Sequence, residues 1–113
     1  MTVAENLSSI VAAIGEDKAA DLCLTLGGTI VYLSHEPAAE TLVGRAIGSE
    51  AAAALARAIG PGQHRIPTAR RFIAAQLKAR QLTVRQIART LHADEWTVRR
   101  WLAAAPHDQP TLL

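Results

Sequence analysis

Cysteine occurs once in the 113 residues, as Cys23. A single cysteine closes no internal disulfide and offers no thiolate pair to a metal. Aromatics are scarce too, limited to Tyr32, Phe72, Trp96 and Trp101. No apolar run approaches the roughly 20 residues that span a bilayer, so no membrane association is expected. No basic stretch precedes an apolar core at the start, so no secretory signal is expected and the cytoplasm is the expected compartment. Charged residues make up only 19%, but 50% of the chain is hydrophobic, which excludes a disordered composition.

That hydrophobic half overstates the core. Twenty-three of its residues are Ala, and Ala buries little area. A lone chain of this size would have a thin core, so a second chain is expected to complete it. The net charge of +2 also conceals an imbalance. Residues 1–63 hold three Lys/Arg and seven Asp/Glu, whereas residues 64–113 hold nine and three. An acidic half joined to a basic half points to an anionic partner.

The chain repeats itself at an offset of 33. Residues 13–33 and 46–66 match at Ala13/Ala46, Ile14/Ile47, Gly15/Gly48, Ala19/Ala52, Ala20/Ala53, Leu22/Leu55 and Gly27/Gly60, seven of 21 positions without a gap. In the first unit, about residues 5–34, Leu7, Ile10, Val11 and Ile14 form one helical face. Gly15 stops that helix. A second helix over about 16–26 puts Ala19, Leu22, Cys23 and Leu26 on one face, and Gly27-Gly28 ends it. Residues 29–33 are β-branched and aromatic, which predicts a short strand. In the second unit, about residues 37–67, Pro37 suits a first helical turn. Ala39, Leu42, Val43 and Ile47 line its face, and Gly48 stops it. Ser49 is an N-cap candidate, and Ala52, Leu55, Ala58 and Ile59 form the next stripe. After the Gly60-Pro61-Gly62 break, residues 63–66 are the matching strand, which Pro67 confines to an edge or an end. The two strands either pair with each other or with those of a second chain.

Residues 84–103 have the pattern of a helix-turn-helix, which places its second helix in the DNA major groove. Ala88 is the small residue that lets two helices approach. Ile87, Leu91, Ala93, Val98 and Trp101 fill the apolar positions. Thr83 and Asp94 are N-cap candidates. His92 stands in the turn, where Gly is usual, and must take a positive φ. A preceding helix over about 68–80 brings Phe72, Ile73 and Leu77 to the motif, and Leu82 closes a trihelical unit. On the second helix Glu95, Trp96, Thr97, Arg99 and Arg100 face outward as candidate DNA contacts. Arg85 and Arg89 on the first helix, and Arg70, Arg71 and Lys78 before it, suit phosphates. Trp96 is equally open to a core or partner role.

The Ile14-Gly15, Leu22 and Gly27-Gly28-Thr29-Ile30-Val31-Tyr32-Leu33 unit, with Ile87-Ala88-Arg89 through Val98-Arg99-Arg100, resembles the Mor (middle operon regulator) transcription activators of phages and prophages. The resemblance covers most of residues 7–102. It implies a homodimer held through Ile30, Val31, Tyr32 and Leu33, bound to an imperfect inverted repeat, and recruiting RNA polymerase. Members often end the strand in Pro; Ser34 stands there in the first unit and Pro67 in the second.

The expected fold is therefore mainly α. Two helix–helix–short strand units form an oligomerisation region over residues 1–66. A trihelical helix-turn-helix domain follows over 67–105, then a flexible tail over 106–113. The expected function is sequence-specific binding of double-stranded DNA by a homodimeric transcriptional regulator, an activator by the resemblance. A repressor or autoregulatory binder needs the same parts, and a protein-interaction module using the Ala-rich helices is a further alternative. No enzyme is expected. His35, His64, His92 and His107 have no metal spacing among themselves or with Cys23. Ser34-His35 lies in no nucleophile elbow, and Gly27-Gly28 follows a helix and precedes no Lys-Ser/Thr pair. No catalytic residue, metal or cofactor is assigned.

Overall fold

A computed structural model describes residues 3–34 and 41–108, with side chains for 7–34 and 41–103. In chain order the elements are α1 (Val3–Leu26), β1 (Ile30–Leu33), α2 (Leu42–Ile47), α3 (Ser49–Ile59), β2 (Gly62–Arg65), α4 (Arg70–Ala79), α5 (Val84–Leu91) and α6 (Glu95–Asp108). The fold is mainly helical, with one small two-stranded antiparallel sheet among the described residues. None of these helices is long and apolar enough to cross a membrane. The chain divides into two compact units, Met1–Ala69 and Arg70–Leu113.

In the first unit, α1 is interrupted where the sequence places a stop. Gly15 has φ 86° and ψ 164°, so two helical segments meet there at an angle. Gly48, its equivalent at the offset of 33, joins α2 to α3 with φ 89° and ψ 154°. This region of backbone space is essentially reserved for glycine. A Cβ at either position would meet nothing within 4 Å, so the backbone angle alone demands the glycine. The described part of α2 starts after Thr41, whose Oγ1 accepts a hydrogen bond from the Gly44 amide at 2.9 Å. The expected earlier start at Pro37, with Ala39 on its face, lies outside the described residues, as does His35.

β1 and β2 pair with each other, antiparallel, in the register Ile30–Arg65, Val31–His64, Tyr32–Gln63 and Leu33–Gly62. The choice left open by the sequence is thereby made within one chain. Beyond the strand ends the Ile66 amide donates to Thr29 O (2.9 Å), and the Gly28 amide donates to Ile66 O (2.7 Å). Side chains alternate along β1, with Val31 and Leu33 buried and Ile30 and Tyr32 exposed. Two of the four residues expected at a dimer interface, Val31 and Leu33, thus belong to the core of their own chain.

That core is less thin than composition implies. Ile10, Leu22, Leu33, Leu55 and Ile66 are fully buried, and burying such a side chain contributes about 1.5–3 kcal/mol. α1 packs on α2 and α3, and α2 on α3 and β1. Ala19, Ala20, Ala52 and Ala56 are buried among them. Small side chains there let helix axes come close, which gives these four of the 23 Ala a place in the core. Elements of the two repeats pack on each other, α1 on both α2 and α3 and α2 on β1, within the one chain. Ile66 and Pro67 are buried, and Ile66 extends the ribbon by one further backbone hydrogen bond.

In the second unit α4, α5 and α6 pack against one another around Ile73, Ala74, Leu77, Ile87, Ala88, Leu91 and Val98. Helix α6 continues to Asp108, past the expected domain end at 105. The run Ala103–Ala105, the best helix-forming residue type, carries it on. Of the expected tail, 109–113 lie outside the described residues.

Replacing Gly15 with Ala should cost about 1–3 kcal/mol through the backbone alone. Urea denaturation is the measurement, and an unchanged midpoint would show that the interruption in α1 is dispensable.

Candidate nucleic-acid interface

The candidate site is built on α5, α6 and the three residues between them. Thr83 opens α5 with a reciprocal cap: its Oγ1 accepts from the Gln86 amide at 3.1 Å, and Gln86 Oε1 accepts from the Thr83 amide at 2.8 Å. His92 closes α5 in the left-handed region (φ 55°, ψ 44°), with its amide donating to Ala88 O. The Ala93 amide donates to the same carbonyl at 2.9 Å. The positive φ expected of His92 is therefore present, at the modest cost such a residue carries there. Asp94 opens α6 by accepting from the Thr97 amide at 2.7 Å. Ala88 is 5% exposed beneath this turn, where a larger side chain would hold the helices apart.

Exposed on these two helices are Arg85 and Arg89 of α5 and Trp96, Arg99 and Arg100 of α6. Thr97 is half-buried. Glu95 sits between the helices' arginines, with its oxygens 3.5 Å from Arg85 Nε and 3.3 Å from Arg99 Nη2. Both pairs are largely solvated, and such pairs are worth about 0–1 kcal/mol, so a phosphate can replace the carboxylate at little expense. Trp96 is 65% exposed, which removes it from the core, and the Arg100 guanidinium stacks over its ring at 4.6 Å. The stack holds a cation and a flat apolar surface side by side on α6. Arg70, Arg71 and Lys78 are exposed on α4. The unit from Arg70 onward holds eight Lys/Arg against three Asp/Glu. Its net charge is therefore +5, although Asp94, Glu95 and Asp108 offset three of the four arginines on α5 and α6.

Two features escaped the sequence reading. Gln86 completes the cap at Thr83, and its position three residues after a Thr was the available signal. Glu95 links α5 to α6 through Arg85, a pairing across a turn that no helical spacing reveals. Among the described residues no three His, Cys, Asp or Glu side chains lie close enough to hold a metal ion. Cys23 is buried, and that burial pushes its thiol up to about 11, so the protonated, unreactive form persists in the folded chain.

No protein-family model, no curated protein and no solved structure matches this chain.

Hydrogen bonds from the Thr97 amide and then its hydroxyl, with Arg100 nearby, hold the Asp94 carboxyl below its ordinary 3.8. A depressed folded value stabilises the fold above the ordinary carboxylate range and is lost as pH falls through the folded value. Acidification below about pH 4 should therefore loosen the start of α6. Circular dichroism should show the gap between wild type and Asp94→Asn, whose cap does not titrate, narrow or reverse in acid. A gap constant with pH would mean that the carboxylate charge is irrelevant to the cap.

Proposed function

We propose that the chain is a sequence-specific, double-stranded-DNA-binding transcriptional regulator of the cytoplasm, with α5 and α6 acting as a helix-turn-helix. The observation that carries this reading is the exposed arginine set Arg85, Arg89, Arg99 and Arg100 on two short helices joined by the tight His92–Asp94 turn over buried Ala88. In that role α6 lies in the major groove and α5 crosses the backbone. Arg99 and Arg100 reach base edges, and Arg85, Arg89, Lys78, Arg70 and Arg71 meet phosphates. Trp96 packs its face on sugar or thymine methyl, and Thr97 borders the same surface. Glu95 leaves its arginines for DNA and then disfavours sequences that offer it no donor such as cytosine N4.

The resemblance to the Mor family extends this reading to an activator that contacts RNA polymerase. In vitro transcription from a bound promoter separates activation from repression or autoregulation. The family's homodimer is a separate matter, since the first unit already pairs its own strands.

Affinity for duplex DNA should fall steeply with salt, as counterions released by the phosphate-contacting cations are taken back up. Arg99→Ala and Arg100→Ala should each cost about 1–3 kcal/mol on the preferred site if bidentate to a base. A flat salt response, or equal affinity for random DNA, would defeat the reading and favour a protein partner at Trp96. Glu95→Gln should bind random duplex several-fold more tightly while losing discrimination, because a carboxylate no longer competes with DNA for Arg85 and Arg99. Unaltered discrimination in titrations of both DNAs would confine Glu95 to a structural role.

A further inference from the structure

Any antiparallel ribbon has local two-fold axes between its strands. Nothing obliges such an axis to relate the equivalent residues of a sequence repeat, yet here it does. Val31 pairs with His64, its own equivalent at the offset of 33. Ile30 pairs with Arg65 and Tyr32 with Gln63. The offset exchanges these two pairs, carrying Ile30 onto Gln63 and Tyr32 onto Arg65. One step further, it carries the Leu33–Gly62 pair onto Ile66 and Thr29, whose backbones are hydrogen-bonded at 2.9 Å.

Packing follows the same rule. Ile10 and Val43, Leu22 and Leu55, and Leu33 and Ile66 are equivalent pairs, and each of the six is no more than 2% exposed. Gly15 and Gly48 interrupt the helices with nearly the same backbone angles. The repeat thus recurs in sequence, in backbone geometry, in burial and in strand register.

We infer that the first unit is a fused pseudo-dimer, two copies of one helix–helix–strand unit that give each other the second strand and the second half of the core. It replaces within one chain the assembly that a single-unit chain would need a partner to build. Resting on the DNA-binding reading above, the consequence concerns the target. Each two-fold scaffold in this chain carries one α4–α6 unit, so a single chain binds a single site that lacks dyad symmetry.

The outer face of the ribbon agrees. The offset places polar Gln63 and Arg65 where the first repeat has Ile30 and Tyr32. The outer face of the ribbon is therefore mixed, with Ile30 and Tyr32 exposed opposite Arg65 and Gln63, and does not form a continuous apolar patch.

Three measurements on the full chain test this. Light scattering at micromolar concentration should give 12.0 kDa without upward drift. The double variant Tyr32→Cys/Gln63→Cys, oxidised, should cross-link within one chain and keep that mass, since the pair lies opposite in the ribbon. Binding sites selected from random DNA should lack inverted symmetry and hold one chain per duplex. Twice the mass, cross-links between chains, or enrichment of inverted repeats bound by two chains would each overturn the inference. If no site is enriched, the DNA-binding reading fails instead, and the mass and the cross-link still decide the fused scaffold.

Discussion

The pairing of β1 with β2 is the constraint on which the first unit depends. A two-stranded ribbon is marginal by itself. This one persists because Val31, Leu33 and Ile66 send their side chains into the helices beneath it. The helices in turn need the ribbon, since α1 and α3 each lead directly into a strand and the pairing fixes where both helices end. Gly15 and Gly48 then let each helical pair fold back over the same core. The repeated unit therefore works as a pair, because neither copy alone has a second strand or an opposing helix surface.

Composition misleads on this point unless position is considered. An Ala-rich chain has little apolar area per residue, but the buried alanines stand between helices, where a larger side chain would separate them. Leu22, Leu55 and Ile10 are fully buried in the same unit, so its larger side chains lose nearly all their exposure. The same logic operates at Ala88 in the second unit, under the turn that joins α5 to α6.

The second unit buries Ile73, Leu77, Ile87, Leu91 and Val98, leaves Trp96 exposed, and sets Glu95 between the arginines of α5 and α6. Exposed ion pairs of this kind contribute little to stability. In the DNA-binding reading proposed above, they are pairs that a phosphate could replace at small energetic cost. Asp94 differs from Glu95 by one position and does different work: its carboxylate is committed to the Thr97 amide, so it shapes α6 and leaves the arginines to Glu95.

Much of this was legible beforehand for local reasons. Helical periodicity, Gly15 and Gly48 as interruptions, Thr83 and Asp94 as caps, and the positive φ of His92 all depend on residues within a few positions of one another. The repeat itself and the charge division needed only counting. Other features depended on residues distant in the chain. Sequence left open whether Ile30–Leu33 would meet a strand of its own chain, because a strand's hydrogen-bonding edge does not specify the chain that fills it. It left Trp96 between core and surface, because a helical position faces inward or outward only relative to its neighbours. It missed the Glu95–Arg85 contact, which forms across a turn. The sequence by itself determined the elements, their punctuation and the two-fold repetition. Only the tertiary structure decided that the repetition closes on itself, since register is set by which side chains find a common core.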